Sequence, residues 1–376
     1  MIPLAAPDLS GNEARYLREC IESGYVSAGP FVERFENAMA STLGVDHAVG
    51  CASGTAALHV ALRLMGAGPG RLVAVSDFTF IASANAVRYT GADVLLVDSE
   101  PQTWNMDTEL LHDEVVRRAR TGQRLPDIVE VVHVLGHPAA MEPLIDLKNR
   151  FGIRIVEDAA ESLGASWKTG EQVGTVGDIG CFSFNGNKMI TTGNGGLIVT
   201  NDAAIAEQAR HLINQAKVTS DEYVHDAVGY NYRLSNVSAA IGLAQWERLE
   251  EIRDAKVRIA GRYQRWLESA PVRSQPHAEW ANPSHWLYSL TVQSIPPTIE
   301  SIISLGSEQE IQFRRLWPPL HQQGPYLSSE TIGGAVAAGI YHRGISLPSS
   351  ADLTIESQRK VCTALVEATA SVRSPQ

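Results

Sequence analysis

The chain has 376 residues, 44 % of them hydrophobic and 19 % charged, with a formal net charge of −11; this is an ordinary soluble composition, long enough for two domains and a sizeable core. The acidic balance excludes a general nucleic-acid surface, which needs basic stripes, but leaves room for a phosphorylated small molecule held by a few amides and one arginine. The four cysteines, Cys20, Cys51, Cys181 and Cys362, have no CxxC spacing, so no zinc or other metal site and no redox pair is expected, and a reducing cytoplasm fits. The first residues carry no basic stretch and no signal-like apolar run, and nowhere is there the run of about 20 apolar residues that a spanning helix needs.

In chain order, residues 11–24 read as an amphipathic helix ending at Gly24, and 30–43 as a second, with Pro30 at its start and Gly44 after its end. An alternating pattern follows. SGTAALHVALRLMGAG is a helix entered through a turn of small residues, RLVAVS a strand, SANAVRYTG a helix closed by Gly91, and DVLLVD and IVEVVHVLG are strands. PLIDLKNRFG is a helix, IRIVEDAA a strand running into a turn, and CFSFN and GGLIVTN are strands. Strands alternating with helices predict an α/β fold, a mostly parallel sheet covered on both faces, and apolar runs such as VLLVD suit strands buried on both sides. From residue 238, SAAIGLAQWERLEEIRDAKVRIAGRYQRWLES reads as one long helical stretch. The expected division is a large domain over 1–240 and a linking helix with a smaller C-terminal α+β domain over 241–376.

Three elements carry chemistry. Ser53-Gly54-Thr55 opens a helix, so free backbone N–H groups and the positive dipole end converge on one spot, an anion site that could equally be an ordinary cap. Glu157-Asp158 ends a buried strand at the carboxyl edge, where α/β folds bind ligands; a carboxylate there needs a positive partner, which a protonated pyridine nitrogen would supply and a metal or solvent would also satisfy. Lys188, in Phe184-Asn185-Gly186-Asn187-Lys188, lies between apolar or small-residue segments with a glycine-rich run behind it, and partial burial would make its amine a nucleophile. A phosphate cradle, an acid after a buried strand and a sequestered lysine are together the parts that pyridoxal 5'-phosphate (PLP) requires.

The stretches GYVSAGPFVERFE, ASGTAALHVAL, DFTFIASANAVRYTGA, VHVLGHPAAM, VEDAAESLGA, GDIGCFSFNGNKMITTGNGGLIVT and HDAVGYNYRLSNVSAAIGLAQ resemble, in order and spacing across nearly the whole chain, the DegT/DnrJ/EryC1/StrS family of PLP-dependent sugar aminotransferases. Within it, FNGNKMITTG and the glutamate of EDAAES are most similar to enzymes that aminate C4 of nucleotide-linked 4-keto-6-deoxy sugars, of the bacillosamine/legionaminate and perosamine type. The resemblance implies a fold-type I (aspartate aminotransferase-like) architecture, a homodimer with shared active sites, and transfer from an amino acid, L-glutamate in the family, to a nucleotide-linked ketosugar. It implies that Lys188 is the Schiff-base lysine, serving as anchor and acid/base. Asp158 would pair with the pyridine nitrogen, Glu161 face the phenolic oxygen, Gly54, Thr55 and Ser183 contact the phosphate, Phe80 stack on the ring, and Asn231 reach the phosphate of the partner subunit's cofactor.

Some positions depart from the family pattern. Tyr25 stands where Trp is common. The stretch before Pro319-Leu320-His321 reads Arg314-Arg315-Leu316-Trp317-Pro318 in place of Arg-Pro-x-Trp, and SIPPTIESIISLGSEQE before it is unlike the family. The sugar and nucleotide pocket is therefore the least defined part, with Tyr25, Arg233, Arg315 and His321 as candidate substrate contacts. Two other readings share these motifs: an aminotransferase acting on a cyclitol ketone such as an inosose, and a PLP-dependent sugar dehydratase, which replaces the lysine with histidine and is opposed by Asn187-Lys188.

Overall fold

The computed structural model describes residues 1–219, 222–293 and 298–370. Helices α1 (Glu13–Ser23) and α2 (Pro30–Leu43) both end on left-handed glycines, Gly24 at φ 75° and Gly44 at φ 69°. The large sheet takes its strands from β1 (His47–Cys51), β2 (Leu72–Ser76), β3 (Asp93–Val97), β4 (Ile128–Val132), β5 (Arg154–Asp158), β6 (Ile179–Ser183), β7 (Gly196–Thr200) and β8 (Glu330–Ile332), in the spatial order β1-β7-β6-β5-β4-β2-β3-β8. Strands β8, β3, β2, β4, β5 and β6 run parallel to their neighbours, and β7 runs antiparallel to both β6 and β1. Helices α3 (Gly54–Leu64), α4 (Ala82–Tyr89), α5 (Thr108–Thr121), α6 (Glu142–Phe151) and α7 (Ala203–Ile213) connect the strands.

The continuous apolar runs follow from the period-two geometry of strands between two helical layers. Leu72, Ala74, Leu95 and Val97 pack into the core shared with α1, α2, α5 and α6. Val73, Val75, Val94 and Leu96 point the other way, into the core shared with α3, α4 and α7. A second, four-stranded antiparallel sheet is ordered Arg314–Arg315, Gly344–Leu347, Tyr288–Val292, Val272–Ser274. Its core includes Tyr263, Leu290, Phe313, Ile345 and Leu365.

Two features differ from the sequence reading. The stretch expected as one helix is two, α8 (Asn236–Trp246) and α9 (Leu249–Trp266). The composition changes at the break: α8 is made almost wholly of small and apolar residues and packs against α1 and α2, whereas α9 is amphipathic. The break is held by the N-terminal segment, with Arg248 bonded to Asp8 and Ser10 at 2.8 Å each and Tyr16 bonded to Glu247. Secondly, α5 does not appear in the sequence reading, although Asp107 caps it by accepting from Leu110 N–H at 2.9 Å and Gly122 ends it at φ 68°. The chain also returns late to the large sheet: β8, at its edge, lies well beyond residue 240.

Glu130 in the middle of β4 is fully buried, and among the described residues neither carboxyl oxygen has a hydrogen-bond partner. It pairs with Val75 and Val156, the latter on the same face of β5 as Asp158. Burial, with the nearby Asp158 adding to it, pushes its pKa well above the ordinary 4.5. Between 4.5 and that raised value the unfolded chain is ionised and the folded chain is not, so unfolding releases a proton and stability falls as pH rises through this window, by about 1.4 kcal/mol per pH unit. Glu130→Gln is expected to remove this slope. Denaturant midpoints of both proteins at pH 5 and pH 8 check it: the variant's advantage grows with pH, and a difference that stays constant overturns the assignment.

Candidate active site

The carboxyl ends of β1, β2, β5 and β6 meet at one cavity of about 350 Å³, walled on the far side by Arg314–Trp317 and Trp286 of the second sheet region. Ser53 is the N-cap of α3, its hydroxyl accepting from Ala56 N–H at 3.1 Å. The N–H groups of Gly54 and Thr55 head this helix, where no intrahelical acceptor exists, and both residues line the cavity. Gly54 has a packing reason to be glycine: a Cβ there would lie 2.7 Å from the Cβ of Ser183, which closes β6 beside it. A small anion enclosed by helix N–H groups and two hydroxyls fits this corner.

Asp158, at the end of β5, is 3 % exposed. Its Oδ2 accepts from Ser83 Oγ at 2.8 Å and its Oδ1 from Ala160 N–H at 3.1 Å, both neutral donors. Burial raises its pKa, opposed by these two hydrogen bonds and by the more distant Lys188. A cationic N–H donor at this end of the cavity would reverse that balance and hold the carboxylate ionised. A pyridinium is such a donor, so the chemistry of this corner fits PLP.

Lys188 lies across the cavity, its backbone N–H turned onto Asn185 O at 3.0 Å. Its Nζ is 3.5 Å from Glu161 Oε1 and 3.9 Å from the ring centroid of Trp286, with the side chain 13 % exposed. Glu161 is buried; its other oxygen accepts from Leu135 N–H at 2.9 Å, and burial raises its pKa more than Lys188 lowers it. That N–H is presented by a left-handed, non-glycine Leu135 at φ 55°, a conformation that persists only when its surroundings enforce it. The indole N–H of Trp286 donates to Asn187 O at 2.6 Å, and its ring stacks on Trp317 at 6.4 Å and 12°.

Of the residues singled out from sequence, Gly54, Thr55, Phe80, Asp158, Glu161, Ser183, Lys188 and Arg315 line this cavity, Phe80 at its mouth and 54 % exposed. Tyr25, Asn231, Arg233 and His321 are not among its lining residues. Tyr25 is 63 % exposed. Asn231 is exposed and bridges Asn214 through its backbone, and Arg233 is exposed, bridges Cys51 and lines a separate cleft with Tyr223 and His225. His321 is held by Asp77, backbone N–H to Oδ1 at 2.9 Å and Nδ1 to Oδ2 at 2.6 Å, so within this chain it is tied to the loop after β2. The Arg315 guanidinium pairs with Glu300 and lies 4.1 Å over the Tyr341 ring.

Sequence reasoning gave no site role to Ser83, Asn187, Trp286 or Trp317. Ser83 was findable, standing three residues after Phe80 in the first turn of α4; Trp286 had no local signal. Among the described residues no group of three metal-ligating side chains is present, and no helix is long and apolar enough to cross a membrane.

GDP-perosamine synthase of Caulobacter vibrioides is 39 % identical over 97 % of this chain and 97 % of its own length. GDP-perosamine synthase of Escherichia coli O157:H7 is 35 % identical over 97 % of this chain and 98 % of its own. The crystal structure of the aminotransferase TlmJ from Streptoalloteichus hindustanus superposes with a TM-score of 0.90 at 26 % identity, covering 100 % of both chains, and with it the architecture is that of fold-type I. Residues 7–366 match the DegT/DnrJ/EryC1/StrS aminotransferase family, and the chain belongs to that family as a PLP-dependent transaminase.

Proposed function

We propose that this transaminase moves an amino group from L-glutamate to the keto group of a nucleotide-linked deoxysugar, at C4 of a 4-keto-6-deoxyhexose. The observation that carries the reading is a lysine amine 3.5 Å from Glu161 and 3.9 Å from an indole face, in a cavity whose other end holds the buried Asp158. The identity to two GDP-perosamine synthases supports the sugar-nucleotide assignment.

Bound PLP supplies an electron sink for the pair left behind when the carbon bearing the amine loses its proton. Lys188 anchors it and then, freed, takes and returns that proton with Nζ; Glu161 and Trp286 keep this amine inside the cavity. Asp158 pairs with the ring nitrogen, and Ser83 and the Ala160 N–H orient the carboxylate for it. Glu161 faces the phenolic oxygen. Gly54, Thr55 and Ser183 hold the phosphate, and Phe80 covers the ring. Asn231 and its exposed surroundings act across a homodimer boundary, on the partner's phosphate. Arg314 lines the cavity and is the cation we assign to the substrate's anionic part, since the neighbouring Arg315 is already paired with Glu300.

Three outcomes follow. A glutamate-dependent screen of UDP-, GDP- and dTDP-linked ketosugars, with an inosose alongside, is expected to give an aminosugar nucleotide by mass; amination of the inosose alone overturns the substrate reading, and a deoxygenated product without glutamate consumption overturns the reaction. Borohydride reduction of the yellow protein is expected to fix the cofactor's mass on the peptide containing Lys188, and Lys188→Ala to lose both that adduct and turnover by about 10²–10⁴-fold; normal transamination by the variant refutes the role. Asp158→Asn is expected to bind PLP about 10- to 150-fold more weakly, the loss of one charge-assisted hydrogen bond of about 1.5–3 kcal/mol, read by titration of the apoprotein; unchanged affinity refutes the pairing.

A further inference from the structure

Lys256 on α9 is 4 % exposed. Its ammonium donates to two backbone carbonyls, Trp286 O at 3.1 Å and Ser349 O at 2.8 Å, and among the described residues to no carboxylate. Burial pushes its pKa down to about 8. An ammonium inside a protein is expensive when no anion pairs with it directly, Asp352 acting only from a distance, and two carbonyls could be tied by a neutral donor. The fold nevertheless places a cation here, and one of its two acceptors belongs to the residue whose ring covers Lys188.

Trp286 is fixed from three directions. Its carbonyl is held by Lys256. Its indole N–H donates to Asn187 O, in the residue preceding Lys188. The chain enters it from His285, left-handed at φ 54°, against Gly136, where a Cβ would lie 2.9 Å from Trp286 N. The same helix also holds the neighbouring loop, with the Tyr263 hydroxyl donating to Pro348 O at 2.8 Å. The connected path runs from Lys256 Nζ to Trp286 O, through the indole, to Lys188 Nζ at 3.9 Å.

We infer that Lys256 is a positioning residue for Lys188: by holding the Trp286 carbonyl it seats the indole over the Lys188 amine and so sets how readily that amine is presented to the cavity. The inference rests on the proposed role of Lys188, and the two are tested separately. Borohydride trapping of PLP on the wild-type Lys188 peptide tests the role; its failure sinks that reading whatever Lys256 does.

Given trapping, acetylation of Lys188 in the full-length apoprotein by an N-hydroxysuccinimide ester is followed by peptide mass, with the exposed Lys360 as internal reference. Lys256→Met is expected to raise Lys188 labelling relative to Lys360 at least about threefold, and in a Trp286→Ala background the same substitution is expected to add almost nothing, because contacting residues on one path are non-additive. In the holoenzyme, Lys256→Met is expected to lower kcat several-fold with KM for glutamate near the wild-type value. Unchanged labelling in a cooperatively folded Lys256→Met protein, or equal effects in both backgrounds, overturns the inference. If Lys256→Met does not fold, Lys256→Gln, which keeps a donor and loses the charge, is judged by the same two comparisons.

Discussion

Asp158 is the constraint around which the site is organised. A carboxylate at the end of a buried strand, touched only by neutral donors, sits in surroundings that oppose its charge, and the cheapest remedy is a cationic ligand that enters from the cavity side. The strand period makes this possible. Glu157, one residue earlier, points to the opposite face of the sheet and is satisfied entirely by the protein: it accepts from Gly174 and Val176 N–H at 2.7 Å each, and from His133 Nε2 at 2.8 Å. The His133 Nδ1 accepts from Ala139 N–H at 3.0 Å, so Nε2 carries the proton. Of two adjacent acids, one is consumed by the fold and the other faces the cavity.

The same division recurs along β4. Val132 reaches the cavity, whereas Glu130, two residues back on the same face, is buried without a partner among the described residues. Burial and the neighbouring Asp158 both push the Glu130 pKa up, since two ionised carboxylates in one apolar layer would each oppose the other. After β4 the backbone at Leu135 and Gly136 takes left-handed conformations, φ 55° and 94°, and two results come from that bend: an N–H for Glu161 and room for the Ser284–Trp286 segment to approach.

What could be read from the sequence was what is local. Gly54, Asp158 and Lys188 sit in short motifs whose geometry is set by a strand end and the turn after it, so their types and order point to a phosphate, a ring nitrogen and a reactive amine. The alternating large domain was legible for the same reason, since apolar runs and glycine stops are properties of single segments. Trp286 is the opposite case. It reaches Lys188 from almost a hundred residues downstream, and only the packing of Lys256, Gly136 and Asn187 around it gives it a role. The break between α8 and α9 was hidden likewise: helix propensity continues through Glu247 and Arg248, and tertiary bonds to Tyr16, Asp8 and Ser10 override it.

This split between local and distant determinants bears on specificity. The cofactor corner is made by motifs that follow one another along one sheet edge. The opposite wall comes from the second sheet region, Trp286 and Arg314–Trp317. The ion pair of Arg315 with Glu300 anchors that wall to the helix Ile299–Glu308, and its stacking on Tyr341 anchors it to the helix Ala335–Arg343. With Arg315 anchored in this way, Arg314 is the arginine of this wall that we assign to the substrate. In a chain of net charge −11, an anionic substrate must find its positive partners locally and not from the overall field. Selection among nucleotide sugars would then rest on Arg314 and its neighbours in this wall, whereas Trp286, in contact with the Lys188 amine, is tied to the cofactor corner.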